Sequence, residues 1–169
     1  MGAVKQVDVM GVRVEMPTNK PILLLREQDG ERYVPIWIGA PEATAIAYAQ
    51  QGVTPPRPLT HDLLLDVVTG LGHELSSVLI TRMEDGIFYA ELVIDGGTRI
   101  SSRSSDAVAI ALRAHVPVFV DEAVLEATGV DVPVEDEDEV EKFREFLDNV
   151  SAEDFETHGD EPGDSDTQP

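Results

Sequence analysis

The amino-acid sequence predicts an α+β fold in which a mixed, mainly antiparallel sheet packs with about four helices. Short apolar runs with strand-like alternation come in consecutive groups, and Asp-Gly turns separate several of these runs. Segments with helical spacing of apolar residues lie between the groups rather than after every strand. A doubly wound parallel sheet would alternate strand and helix along the whole chain, so this pattern indicates a mixed sheet.

The first group of predicted strands occupies the N-terminal part of the chain. Apolar residues alternate over residues 7–16 with one slip at Met10-Gly11, which indicates a strand that contains a β-bulge. Two further strands, residues 22–25 and 33–38, flank a turn at Gln28-Asp29-Gly30-Glu31. The turn chemistry predicts that these two strands form a hairpin.

Two helices are predicted next, and a proline-rich connector joins them. Pro41-Glu42 opens the first helix and Gly52 ends it. Residues 54–58 form a stiff, extended connector. Thr60 is the predicted N-cap of the second helix, whose apolar stripe consists of Leu63, Leu64, Val67, Val68 and Leu71.

The rest of the domain is predicted as three strands, a helix, a short strand and a last helix. Residues 75–101 contain three apolar runs separated by Glu84-Asp85-Gly86 and Asp95-Gly96-Gly97, which is typical of a meander. Ser105 is the predicted N-cap of the third helix, residues 106–115. A strand over residues 117–120 and a fourth helix over residues 121–128 complete the order.

Charge divides the chain into a mildly acidic domain and a strongly acidic C-terminal part. The 169 residues carry 33 acidic and 12 basic side chains, and residues 121–169 hold 19 of the acids against two of the bases. We interpret residues 1–133 as the domain, 134–156 as an acidic linker with a short amphipathic helix, and 157–169 as a disordered tail. The negative charge and the 5% aromatic content disfavour nucleic-acid binding without excluding it.

Several classes of protein and of active site are excluded by composition or by missing motifs. The chain has no cysteine, which excludes disulfides, thiolate metal sites and a cysteine nucleophile. It lacks a phosphate-binding glycine loop, a Gly-x-Ser-x-Gly elbow and a His-Glu-x-x-His pair. No apolar run of about 18 residues and no signal peptide are present. We therefore expect a soluble, cytoplasmic protein without a membrane segment.

The first candidate site is the start of the second helix. Prolines hold Arg57 extended just before it, and His61 and Asp62 lie in its first turn. Asp66 follows Asp62 by four residues on the same face, where two like charges repel unless a divalent cation lies between them. The alternative is a solvated polar face opposite the leucine stripe.

The second candidate site is the start of the third helix, where Arg103 precedes Ser105 and Asp106. Free backbone N–H groups and a guanidinium would suit a phosphate. Alternatively, Ser105 caps the helix and Arg103 pairs with a neighbouring acid. Residues 106–111 also resemble residues 42–47, which reflects either two alanine-rich helices packed closely on a sheet or an ancestral duplication.

Five segments of the chain together resemble the bifunctional nuclease domain family. They are Pro35-Ile36-Trp37-Ile38-Gly39, Glu42-Ala43, Pro56-Arg57-Pro58-Leu59-Thr60-His61-Asp62-Leu63, residues 103–111 and Pro117-Val118-Phe119-Val120. Residues 143–151 resemble the acidic extension of actinobacterial members. The resemblance implies an α+β domain, often dimeric, with nuclease activity on DNA and RNA as reported for plant members. Ser104 stands where the family usually has proline.

The leading hypothesis is therefore a nuclease that hydrolyses phosphodiester bonds in DNA and RNA. In this hypothesis His61, Asp62 and Asp106 are catalytic, and His61 acts as general acid or base. The substrate phosphate is bound by Arg57, Arg103 and Ser105. A divalent metal, Mg²⁺ or Mn²⁺, is held by Asp62 together with Asp66 or Asp106.

Nucleic acid as substrate and a homodimer are the expected partners, and no membrane is involved. The main alternative is a non-catalytic module that binds an anion or a protein and carries an acidic interaction tail. A metal-dependent phosphohydrolase of the His-Asp type fits poorly, because that class needs further histidine and aspartate ligands.

Overall fold

The structure is a computed structural model that describes residues 2–131. The strands are β1 (Val4–Glu15), β2 (Lys20–Glu27), β3 (Arg32–Trp37), β4 (Leu75–Glu84), β5 (Ile87–Ile94), β6 (Thr98–Arg103), β7 (Val118–Asp121) and β8 (Val130–Asp131). The helices are α1 (Ala40–Gln51), α2 (Thr60–Gly70), α3 (Ser104–Ala114) and α4 (Glu122–Thr128). The predicted acidic linker, amphipathic helix and tail lie outside the described residues.

The strands form one sheet in the order β6-β5-β4-β7-β1-β2-β3-β8. The β4–β7 pair is parallel, and the other neighbouring pairs within residues 2–131 are antiparallel. This confirms the predicted α+β class and the mixed, mainly antiparallel sheet. The predicted bulge in β1 is also confirmed, because the register with β2 shifts between Val9 and Gly11.

The helices cover the sheet through small, alanine-rich surfaces. Helix α3 packs on β4, β5 and β6 and also contacts α1 and α2, while α1 packs on β1 and β2. Ala43, Ala107 and Ala109 are fully buried, which lets the two helices approach closely. Helix α4 contacts both β3 and β4, strands that are far apart in the sheet, so the sheet curls around it. Within residues 2–131 no helix is long and apolar enough to cross a membrane.

Both predicted N-caps are wrong by one or two positions. Thr60 is the first residue of α2, and the N-cap is Leu59, whose N–H donates to Asp62 Oδ2 at 2.9 Å. Ser105 is a buried residue inside the first turn of α3, and the N-cap is Arg103. Strand β6 runs directly into α3. Arg103, the last residue of β6, therefore takes the cap position, and Ser104 and Ser105 adopt helical geometry.

Most of the predicted apolar stripe of α2 does not face the core. Four of its five members, Leu63, Leu64, Val67 and Leu71, are exposed. The fifth, Val68, packs against the buried cluster together with Leu65, which the stripe did not include. Helix α2 packs on α3, and most of its apolar residues face away from that contact.

Ser104 gives a first testable prediction, because it occupies the first helical position of α3. Proline is favoured at that position, and Arg103 before it is already extended at φ −67° and ψ 147°. We expect Ser104→Pro to raise the free energy of unfolding by about 0.4–1 kcal/mol, since it restricts the unfolded chain. Urea denaturation measures the change, and Ser104→Ala controls for loss of the hydroxyl. A proline variant less stable than the alanine variant would contradict this geometry.

Candidate functional site

Four ionisable side chains form a continuous hydrogen-bonded chain, which we call the polar chain: Glu42, Arg103, Asp106 and His61. Glu42 Oε1 accepts from Arg103 Nη2 at 2.8 Å. Arg103 Nε donates to Asp106 Oδ2 at 2.8 Å, and Asp106 Oδ1 lies 2.8 Å from His61 Nε2. One carboxylate thus contacts a guanidinium and an imidazole at once.

The polar chain forms where the N-termini of three helices meet. Glu42 lies in the first turn of α1, His61 in the first turn of α2 and Asp106 in the first turn of α3. The contacts of α3 with α1 and α2 bring these turns together. Helix N-termini carry partial positive charge, which favours acidic side chains at these positions.

The charges around Asp106 fix its protonation state. Burial raises the pKa of the Asp106 carboxyl, but hydrogen bonds from Arg103 and His61 outweigh it and leave the pKa below its usual value. The hydrogen bonds to Asp106 and Glu42 in turn raise the pKa of Arg103. An ionised carboxylate only accepts hydrogen bonds, so we assign the proton of neutral His61 to Nε2. Within residues 2–131 the other ring nitrogen, Nδ1, has no hydrogen-bond partner, and in the neutral imidazole it carries the lone pair.

The polar chain borders a cleft that is open to solvent. His61, whose side chain is 16% exposed, lines a cleft of about 640 Å³ between α1 and the connector that contains Pro55 and Pro58. The Arg103 side chain is 68% exposed. A ligand in this cleft can therefore reach the imidazole, whereas the exposed guanidinium lines a neighbouring cleft of about 310 Å³.

Asp62 belongs to a different set of contacts, although it follows His61 directly. Its Oδ1 accepts from Arg113 Nε at 2.7 Å, and its Oδ2 accepts from the Leu59 N–H. The Arg113 side chain is only 8% exposed and also donates to the Ala109 carbonyl. Asp62 therefore ties α2 to α3, and the structure does not place it in the polar chain.

The predicted metal ligands do not form a suitable donor set. Both oxygens of Asp62 are engaged, and Asp66 lies with Asp62 and Arg113 in a second cleft of about 470 Å³. In the described part of the chain, no group of three or more His, Asp or Glu side chains is arranged to hold a metal ion. A cation at Asp62 would have to displace Arg113, so the metal stays a prediction.

The other two predicted phosphate ligands differ in accessibility. Arg57 is exposed on the connector between Pro56 and Pro58. Ser105 is buried beside Arg103 in the first turn of α3. Their roles stay predictions, whereas the expected alternative, Arg103 paired with neighbouring acids, is what the geometry contains.

Glu42 and Arg113 are the two residues that sequence reasoning missed. The similarity between residues 42–47 and 106–111 carried a signal for Glu42, because it aligned that residue with Asp106. Both acids indeed bind the same arginine. No pattern marked Arg113, whose partner lies 51 residues away.

Comparison with known proteins agrees with the resemblance in the sequence. The model of the bifunctional nuclease domain matches residues 23–133, which include all four members of the polar chain. Two uncharacterized proteins from two strains of Mycobacterium tuberculosis are each 55% identical to this chain over 159 residues, covering 89% of it and 97% of the relative. The chain belongs to the bifunctional nuclease domain family.

Proposed function

We propose that this chain hydrolyses phosphodiester bonds in DNA and RNA at the polar chain. The observation that carries the proposal is the carboxylate of Asp106, which holds His61 Nε2 and Arg103 Nε at 2.8 Å each, while His61 and Arg103 each line an open cleft. In this proposal Asp106 positions both the general base, His61, and the phosphate-binding cation, Arg103. Membership of the bifunctional nuclease domain family also supports a nuclease-related role.

The proposed reaction uses the free nitrogen of His61. Nδ1 takes one proton from a water molecule, and the resulting hydroxyl oxygen forms a bond to phosphorus. The bond from phosphorus to the leaving ester oxygen breaks, and that oxygen takes a proton from solvent. Asp106 stabilises the imidazolium formed on His61, which then returns its proton to solvent.

Arg103 is the group that would stabilise negative charge on the phosphoryl oxygens. Its Nε and Nη2 are engaged by Asp106 and Glu42, and the exposed side chain leaves Nη1 directed to neither. The two carboxylates fix the guanidinium in one position, which suits charge stabilisation without reorganisation. They also offset its charge, so we propose that Arg57 on the cleft-lining connector adds the positive charge needed to attract a phosphate.

The proposal is tested by cleavage of fluorescent DNA and RNA oligonucleotides with highly purified protein. We expect His61→Ala to lower kcat about 10²- to 10⁴-fold, because the general base is lost. Reactions with Mg²⁺, with Mn²⁺ and with EDTA show separately whether a metal contributes.

The matched control is His73→Ala, which removes an imidazole that also contacts an aspartate but at an exposed site. His73 Nδ1 lies 2.6 Å from Asp95 Oδ2, on the turn between β5 and β6. We expect cleavage by this variant to equal that of the parent. Equal residual cleavage by parent and His61→Ala would show a contaminating nuclease and contradict the proposal.

The alternative, a non-catalytic binding module, has one observation in its favour. The exposed apolar residues Leu63, Leu64, Val67 and Leu71 give α2 a face suited to a protein partner. A second copy of this chain is the partner we propose for that face, and sedimentation of the full chain tests it. The two roles are compatible, because the face and the polar chain use different residues of α2.

A further inference from the structure

An exposed tryptophan adjoins the proposed site. Trp37 ends β3, is 54% exposed and is the sole tryptophan of the chain. Large aromatic side chains bury most of their surface in folded proteins or at interfaces. The indole of Trp37 is therefore accessible to a ligand that would cover it.

Trp37 and Arg103 line the same cleft of about 310 Å³. Ile87 and Phe88 from the β4–β5 hairpin form other parts of its wall. Ile87 is itself 58% exposed, so an apolar surface continues from the indole across the cleft mouth. The cleft thus combines a flat aromatic ring, apolar walls and one guanidinium.

This cleft and the cleft at His61 adjoin at the junction between β3 and α1. Gly39 lines the smaller cleft and Ala40 lines the larger one. Arg103 lines the smaller cleft and reaches His61 through Asp106. A nucleotide with its phosphate at Arg103 would have its base beside Trp37 and its scissile bond towards His61.

We infer that Trp37 is a stacking platform for an unpaired nucleobase of the substrate. The inference rests on the proposed function and adds to it the substrate class, which is single-stranded nucleic acid. Bases in a duplex are already stacked on each other, whereas an unpaired base exposes its face to an aromatic side chain. Stacking on an indole accepts any base, because every base has a π-face, so little sequence preference is expected.

The test uses the intrinsic fluorescence of Trp37 in the full-length His61→Ala variant, so that cleavage does not consume the probe. A single-stranded oligothymidylate and a duplex of the same length are titrated in EDTA. We expect saturable quenching by the single strand and little by the duplex. Because no other tryptophan is present, the signal reports on this position alone.

Substitutions at Trp37 then measure the stacking in the His61→Ala background. Anisotropy of a labelled oligothymidylate should give a Kd that rises about 10-fold or more in Trp37→Ala and much less in Trp37→Phe. Tyr89→Ala is the matched control, since that ring stacks with Arg82 at 4.0 Å from its centroid and does not line the cleft. In the parent background, Trp37→Ala should raise KM for a single strand with little change in kcat.

The outcomes separate this inference from the proposed function. Unchanged Kd in Trp37→Ala, or equal quenching by the duplex, overturns the inference even if the parent cleaves nucleic acid. Quenching by the single strand without any cleavage by the parent retains the platform and overturns the nuclease. Emission that shifts with protein concentration but not with oligonucleotide would assign Trp37 to a contact between copies and also overturn the inference.

Discussion

Replacing Asp106 by asparagine should lower kcat for cleavage about 10²- to 10⁴-fold while the protein stays folded. The carboxylate orients His61 through Nε2 and stabilises the imidazolium that forms during proton transfer. Asparagine has nearly the same shape but carries no charge, so the imidazolium loses its counterion. Steady-state cleavage of a labelled single strand measures the loss, and circular dichroism with a urea titration verifies the fold.

Asp62→Asn is the matched control for this change. Asp62 and Asp106 occupy the same position in the first turns of α2 and α3, but Asp62 pairs with Arg113. We expect Asp62→Asn to lower stability and to leave kcat within a few-fold of the parent. A loss as large as that of Asp106→Asn in a folded protein would return Asp62 to the catalytic role predicted from sequence.

The negative charge of the same carboxylate should persist to low pH. The hydrogen bonds keep the pKa of Asp106 below the ordinary aspartate value of about 3.9. Protonation of Asp106 therefore contributes to loss of activity only below about pH 4. In Arg103→Ala one of those hydrogen bonds is gone, so the pKa of Asp106 should rise, which an NMR titration of its carboxyl carbon measures.

Replacing Arg32 by methionine should lower the free energy of unfolding by about 3 kcal/mol, which corresponds to a fall in Tm of roughly 10 °C. Arg32 Nε and Nη2 donate to the two oxygens of Glu27 at 2.9 and 3.0 Å, and Nη2 also donates to Glu122. The Glu27 side chain is only 7% exposed. Methionine keeps much of the volume but removes the hydrogen-bonded cation from a buried carboxylate, and it removes the ion pair that ties α4 to β3.

The pH dependence of this loss distinguishes the charge effect from simple repacking. The hydrogen bond from Arg32 is the main cause that lowers the pKa of Glu27. In the parent, this stabilisation is present above the ordinary glutamate value of about 4.3 and is lost as pH falls through the lowered value. In Arg32→Met, burial raises the pKa of Glu27, so the variant takes up a proton at higher pH.

The difference in unfolding free energy between parent and variant should thus be largest at pH 7 and shrink towards pH 4. Arg82→Met is the control, because the Arg82–Glu84 pair is more than half exposed and should cost no more than about 1 kcal/mol. A difference between parent and Arg32→Met that does not vary with pH would contradict the buried-charge explanation.

The sequence by itself determined the fold class, the order of elements from β1 to α4 and the bulge in β1. These features depend on local signals: the period of the apolar residues, the Asp-Gly turns and the proline and glycine residues at helix ends. It also identified the two helix starts that carry His61 and Asp106. The two-residue strand β8 gave no signal, because so short a strand has no period and forms only by pairing with β3.

Only the tertiary structure decided which of these residues act together. His61 and Asp62 are consecutive on α2 and point about 100° apart, because an α-helix has 3.6 residues per turn. His61 therefore faces Asp106 at the β6–α3 junction, while Asp62 faces Arg113 near the end of α3. The sequence likewise showed that α2 is amphipathic, but which of its sides meets the core depends on how it rests on α3. Contacts between residues 45 or 51 positions apart are set by the packing of whole elements, and local patterns do not encode that packing.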